Sequence, residues 1–460
     1  MRTTCLFPFA ALSVFCVALA GCGKVETPSA PNPEPASTRP PVVPLPKEKM
    51  PDPTPTASLP EVVPVTPADK AKLEATEKKD ARVEGPLTNG GYQVTIAPTA
   101  DAAEILALLK GTKCVVGLTI EGARLSDGSL KCLEGFDHLE SLVLNQCDGL
   151  TGAEFGALAR LSRLKTVSIV GSGTRLTDAG LRELAALPAL DTISLDSVPI
   201  SGRAFAAPGW AKLREISATN MPFDDAGLEA VAGLPVLESL DLRATKVTDA
   251  GVKHLERAKT LTYLVLDNTG VGDAGLVALG KLPALKELHL EETKITDTGV
   301  AALSSAGALR VLNLEKTAVT GSAFAKFPQL SALRKLSLSH TNFADANGPH
   351  LARFTALTTL SLTACPVSDA GLTSLAELKK LTSLNLTATK AGDGTAKLVR
   401  TLPLLEIATF DGTAITDAGL KDAAQGARLK FLYARGAKAT KRGAAEAEKF
   451  AREGVKIVVE

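Results

Sequence analysis

The chain of 460 residues has almost no net charge, with 51 Lys and Arg set against 50 Asp and Glu. That balance excludes the broad basic field a polyanion such as nucleic acid needs. Aromatic residues make up only 4%, which argues against a stacking platform for bases or sugars and leaves few ready-made interface anchors. Histidine is scarce: His138, His254, His289, His340 and His350 are the full set. No two of them stand at the four-residue spacing by which a helix presents a pair to zinc. A phosphate loop is also missing, because the recurrent Gly of D-A-G-L is followed by Leu or Val rather than by G-K-[ST]. Only His289, sharing a strand face with Glu287 and Glu291, suggests an acid–base or metal constellation, and it lacks a third well-placed ligand and a pocket. No cofactor or metal is implied, and the expectation is a protein that is not an enzyme.

The seven cysteines show no regular disulfide framework. Cys5 and Cys16 fall in an N-terminal segment, MRTTCLFPFAALSVFCVALAGC, with one positive charge at Arg2 followed by a mostly apolar run. This layout reads as a signal peptide over residues 1–21, too short for a stable membrane span. Its end, Leu19-Ala20-Gly21-Cys22, resembles the lipobox of bacterial lipoproteins. The resemblance implies cleavage before Cys22 and acylation of its sulfur, hence an exported, membrane-anchored lipoprotein of the cell envelope held in the bilayer by several chains. Gly23, standing where Asp would favour the inner membrane in some systems, leans toward the outer membrane. Of the other cysteines, Cys132 is expected on an inward helix position and Cys147 and Cys365 at a bend. Buried free thiols are the leading expectation, and a Cys114–Cys132 bridge is the alternative that export permits.

From residue 22 to 90 the chain reads as a lipid-anchored tether. Proline recurs every two to five residues up to Pro67, which excludes helix and sheet and gives an extended spacer. Its simplest role is stand-off from the bilayer, with a ligand for a Pro-reading domain as the competitor. Ala68–Val83 is charged and is either a short helix or more linker.

The rest of the chain is dominated by an internal period. Leu237-x-x-Leu240-x-Leu242 recurs at Leu261, Leu285, Leu309, Leu333, Leu357 and Leu381, always 24 residues on. The phase continues to Leu405 and Leu429, holds back to Leu213, and loosens by one or two residues at Leu190, Leu164, Leu139 and Val115. That makes about 14 recognisable units. In each, alternating Leu residues face a core from a strand, and T-D-A-G-L then opens a short helix that Thr or Asp can cap. A single unit cannot bury its apolar face, so neighbours must stack, with a parallel sheet as inner wall and short helices outside.

This pattern resembles the leucine-rich-repeat family, in particular its ribonuclease-inhibitor-like and bacterial GALA-type members. The resemblance implies an α/β solenoid, a horseshoe or arc, over 115–440, with a degenerate capping repeat at 91–114 and a helix-and-strand cap at 441–460. Where many members place Asn or Cys at the strand-to-turn bend, this chain has Thr245, Thr269, Thr293, Thr317, Thr341, Cys365, Thr389 and Thr413, whose side chains can bond backbone there. Ala123, Val198, Met221 and Ala437 depart from the ladder.

Positions between the paired Leu residues face outward on the inner wall. Among them Asp241, Asp267, Glu287, Glu291 and Glu315 make an acidic stripe over four units, with Tyr263 and His289 beside it. Such a stripe can steer a basic protein or peptide, and it can equally be solvated surface. Phe431 and Tyr433 are a second candidate, read here as packing against the terminal helix. The Ser/Thr-rich rows between the two lack anchors. Repeat proteins of this kind imply a tethered protein-interaction scaffold, with a structural, wall-associated component as the alternative and a protein or peptide the expected partner.

Overall fold

The computed structural model describes residues 65–122, 127–171, 173–328 and 332–459, with side chains left aside at 127–129. The signal segment, Cys22, the Pro-rich stretch to residue 64 and Ala123 lie outside the described residues.

Among the described residues, seventeen strands form one sheet. The first seven are β1 (Ala81–Glu84), β2 (Tyr92–Ile96), β3 (Val115–Glu121), β4 (Ser141–Asn145), β5 (Thr166–Val170), β6 (Thr192–Asp196) and β7 (Glu215–Thr219). They are followed by β8 (Ser239–Asp241), β9 (Tyr263–Val265), β10 (Glu287–His289), β11 (Val311–Asn313) and β12 (Lys335–Ser337). Last come β13 (Thr359–Ser361), β14 (Ser383–Asn385), β15 (Ile407–Thr409), β16 (Phe431–Tyr433) and β17 (Lys456–Val458). From β2 onward every strand pairs in parallel with the next, and the partners from β7 to β16 stand 24 residues apart, as in Glu287↔Val311 and Ile407↔Phe431. Between β4 and β7 the step runs 25, 26 and 23 residues, seen in Ser141↔Thr166, Thr166↔Thr192 and Thr192↔Glu215. The register survives these steps, because the loops and not the strands take up the extra residues.

The architecture is therefore a solenoid of parallel strands on one side and short helices on the other. α-Helices such as Asp273–Leu279 and Asp417–Ala423 alternate with 3-10 turns such as Ser322–Lys326 and Thr373–Glu377. One apolar core runs unbroken from Leu73 to Ala447. The repeat leucines supply it: Leu237, Leu240 and Leu242 have no exposed surface, nor do Leu285, Leu288 and Leu290. Truncating any one of them removes atoms that each neighbouring unit packs against, at a cost of about 2–5 kcal/mol.

The N-terminal cap uses more of the chain than the 91–114 unit expected from the period. A helix, α1 (Pro67–Glu77), is closed by a capping box in which Thr66 Oγ1 accepts from Asp69 N–H at 3.1 Å and Asp69 Oδ2 accepts from Thr66 N–H at 3.0 Å. β1 then folds back antiparallel on β2. An antiparallel edge cannot continue a parallel solenoid, so it ends the sheet rather than extending it. At the other end, a helix at Lys441–Glu448 and β17 close the array.

Where an Asp opens a regular helical segment it reaches into the next unit. Asp297 accepts from Thr320 N–H (2.8 Å), Thr320 Oγ1–H (2.6 Å), Gly321 N–H (3.0 Å) and Ala323 N–H (3.0 Å). Asp273 binds Thr296 and Asp345 binds Ser368 in the same two-point manner, at 2.6–2.8 Å. Burial pushes the Asp297 carboxyl upward, but the donated bonds outweigh it and hold its pKa below the ordinary aspartate value. The same balance lowers Asp369, and at Asp345 the Ser368 hydroxyl bond is the leading cause. These carboxylates staple one unit to the next on the helical face.

Candidate binding surface on the parallel sheet

Alternation along each short strand decides which residues face solvent. In β8, Leu240 is buried while Ser239 and Asp241 are half-buried; in β10, Leu288 is buried between Glu287 and His289. The sheet register then brings units together: Glu287 stands beside Tyr263 and His289 beside Val265. The Tyr263 and His289 rings lie 5.8 Å apart. Val265, expected to face outward, is only 1% exposed, because its register neighbours Asp241 and His289 are longer than it is.

The carboxylates of this wall are unequally neutralised. Asp241 is held by Arg243 through Nη2 at 2.8 Å and Nε at 3.1 Å. Lys316 bridges Glu291 at 2.9 Å and Glu292 at 2.7 Å, and these bonds raise the lysine's pKa, that to Glu292 first. Glu287 contacts His289 Nε2 at 2.9 Å. Asp267 Oδ1 accepts the Glu291 backbone N–H at 2.7 Å. Its pKa is raised by burial first and also by the Glu291 carboxylate. Glu315 is raised by burial and then by Glu291, with Asp267 and Glu292 adding to the effect. Tyr263, half-buried and facing Asp241 and Glu287, is pushed up to about 12, by desolvation first and then by those two carboxylates. The wall crowds like charges at an electrostatic cost that neither Arg243 nor Lys316 removes.

Further along the sheet the face changes chemistry. Ser339 Oγ meets Ser361 Oγ at 2.8 Å, and Thr387 Oγ1 donates to Asn385 Oδ1 at 2.7 Å. Two strands on from Asn385 the row is aromatic. Phe431 and Tyr433 rings are parallel at 6.1 Å, and Arg435 lies 5.4 Å from the Tyr433 ring while its Nη2 bonds Asp411 at 2.7 Å. The pair does not pack against the terminal helix, as the sequence had suggested. Leu432 between them points into the core, so alternation turns both rings to the solvent face of the sheet, away from the helical layer. Among the described residues, no group of three or more His, Cys, Asp or Glu is placed to hold a metal ion.

A family model described as "Leucine Rich repeat" matches residues 257–280, 281–304 and 355–376. Over those residues the chain carries leucine-rich repeats. Among solved structures, an internalin from Listeria monocytogenes is similar at 20% identity and a TM-score of 0.54, covering 81% of this chain and 98% of that one. A leucine-rich-repeat protein from Leptospira interrogans is similar at 18% identity and a TM-score of 0.57, covering 79% and 88%. These likenesses are of fold. No curated protein matches the chain.

At the bend of the leucine-rich repeat, each ladder threonine donates its hydroxyl to the backbone three residues earlier. Thr245 Oγ1 to Leu242 O, Thr269 to Leu266 O and Thr293 to Leu290 O are all 2.6 Å. Thr317 and Thr389 repeat the bond at 2.7 Å, as do Thr341 at 2.6 Å and, onto Phe410 O, Thr413 at 2.7 Å. Cys365 differs: its Sγ reaches back a unit to Leu338 O at 3.0 Å. The residue before the ladder is left-handed, at Ala244, Asn268, Glu292, Lys316, His340, Ala364 and Ala388 with φ between 52° and 56°. Cys114, Cys132 and Cys365 are free thiols, and Cys147 Sγ donates to Ile120 O at 3.5 Å. Cys132 is half-buried and packs against the core, and burial raises the pKa of Cys114 and Cys365, so neither is an activated nucleophile.

Proposed function

We propose that this chain is a non-catalytic recognition scaffold of the bacterial cell envelope, acylated at Cys22, stood off by its Pro-rich segment, and binding a protein or peptide on the solvent face of its sheet. The observation that carries the reading is the crowding of Asp267, Glu287, Glu291 and Glu315 around Tyr263 and His289, with the Asp267 and Glu315 carboxyls raised by burial first and then by the Glu291 carboxylate. A merely solvated face relaxes by spacing its charges, and like charge held together, offset only in part by Lys316 at Glu291, is how a surface steers and orients a basic partner. Asp241 contributes less, since Arg243 occupies it. The ladder from Thr245 to Thr413 has a supporting role: it fixes the bend that follows each strand of the wall. The D-A-G-L helices favour the ribonuclease-inhibitor-like or GALA-type class, with about 14 units of 24 residues. Surface display, on the outer membrane, fits the Gly23 reading of the export signal.

The test is proximity crosslinking in intact native cells, comparing the chain with its Asp267→Lys/Glu287→Lys/Glu291→Lys form. Loss of one saturable protein partner on reversal is expected. An unchanged set dominated by wall material or by the chain itself would favour a structural envelope component instead.

A further inference from the structure

The helical face is not stapled uniformly. Asp225, Asp249, Asp273 and Asp297 each bind the following unit, and so do Asp345, Asp369, Asp393 and Asp417. Between these two runs the staple is missing on both sides of the bond; before the first run, Asp178 staples to Ser201 but the next acceptor position, Gly202, is bare in the same way, with φ 89° and Phe223 against it. Between the runs the acceptor position is Gly321, which has no side chain, and the hydroxyl position facing it is Ala344. Gly321 adopts φ 89°, and a Cβ there would collide with the Phe343 ring, so an Asp cannot simply be accommodated.

What joins the helical layers at this junction is aromatic packing. Phe354 stands edge-on to Phe324 at 5.2 Å and to Phe327 at 6.3 Å. Two long side chains add bonds to carbonyls, Asn347 Nδ2 to Thr320 O at 2.9 Å and Arg353 Nη1 to Phe327 O at 3.1 Å. A carboxylate receiving two to four donors fixes both distance and direction, whereas ring faces and rotatable side chains tolerate sliding. On the opposite side the sheet is continuous, with Leu314 N–H donating to Ser337 O at 3.0 Å and Lys316 N–H to Ser339 O at 2.9 Å.

We infer that the Gly321/Phe343 junction is a hinge built into the solenoid, where two stapled blocks change their mutual angle about the β11–β12 line. The chemistry of the sheet face changes at the same line: the acidic stripe ends at Glu315 and the hydroxyl-bearing rows begin at Lys335–Ser339. Bending there resets the angle between the two halves of the wall, a consequence that rests on the binding reading above. The hinge itself does not.

The test is double electron–electron resonance on the full chain without any partner, using genetically encoded nitroxide side chains so that the native thiols stay untouched. Three label pairs each span two units on the exposed helical face: Ala250 with Thr298, Thr298 with Ala346, and Ala370 with Ala418. The hinge predicts a distance distribution at least twice as broad for the Thr298–Ala346 pair as for the other two. Converting the junction to a regular unit, Gly321→Asp/Phe343→Val/Ala344→Thr, narrows it to the within-block width. If that triple variant does not fold, Asp273→Ala supplies the converse, broadening the Ala250–Thr298 pair to the junction's width. Equal widths for all three pairs in the native chain would overturn the inference, as would failure of Asp273→Ala to broaden its own pair.

Discussion

Removing one staple is the sharpest perturbation of the stacking account. In Asp297→Ala four donors lose their acceptor, three of them backbone N–H groups of the next unit. Bonds to a charged acceptor contribute about 1.5–3 kcal/mol each when fully desolvated. The site is only half-buried and water replaces part of the loss, so the net cost is expected at about 2–3 kcal/mol for the whole set. The pH dependence has a definite sign. The folded carboxyl titrates below its ordinary value, so its contribution is complete above the unfolded aspartate pKa and is lost as pH falls through the folded one. Urea unfolding of the native chain and of Asp297→Ala, followed from about pH 7 to about pH 2.5, should show a gap that is wide at neutrality and closes at the acid end. A cost below about 0.5 kcal/mol at neutral pH, or a gap indifferent to pH, would refute the staple as a stacking element.

Glu315→Gln should stabilise the fold at neutral pH, by about 0.5–1 kcal/mol, because its carboxyl is raised and folding therefore favours the protonated form. That gain should vanish as pH drops below the ordinary glutamate range, and equilibrium unfolding across that range reads it directly. Ala388→Gly relieves a left-handed φ of 54° where Gly412 and Gly436 serve the same position in later units. A gain of about 0.5 kcal/mol in unfolding free energy is expected after the added unfolded-state entropy is subtracted. Thr293→Val keeps the volume but drops the 2.6 Å bond to Leu290 O, and should cost about 1 kcal/mol in the same assay.

Much of the fold was legible because the signal is local and repeated. Leu240 and Leu242 alternate within one strand, and a 24-residue phase carries that alternation from unit to unit, so the sheet register could be read directly from the sequence. The Asp staples were harder to see, since the donors that fix Asp297 lie 23 to 26 residues away in the next unit and nothing within its own segment marks them. The front cap was hidden for a different reason: β1 runs antiparallel and outside the period. On the wall, the acidic residues were visible as outward positions, but their neutralisation was not. Arg243 sits two residues from Asp241, a spacing that puts both on one strand face, and Lys316 lies one period beyond Glu292, so both ion pairs had a signal that charge counting alone passes over. The aromatic pair Phe431 and Tyr433 was misjudged because the terminal helix is near in sequence, whereas the pleat of β16 had already assigned the rings to the other face.

The claim that matters most is that the solvent face of the sheet recognises a partner. Photo-crosslinking side chains placed one at a time at Val311, beside Glu287 on that face, and at Val277, 51% exposed on the helical face, would test it in intact native cells. The account predicts one saturable protein adduct from Val311 that is competed by excess soluble domain and absent from Val277; equal adducts from both faces, or none from Val311, would contradict it.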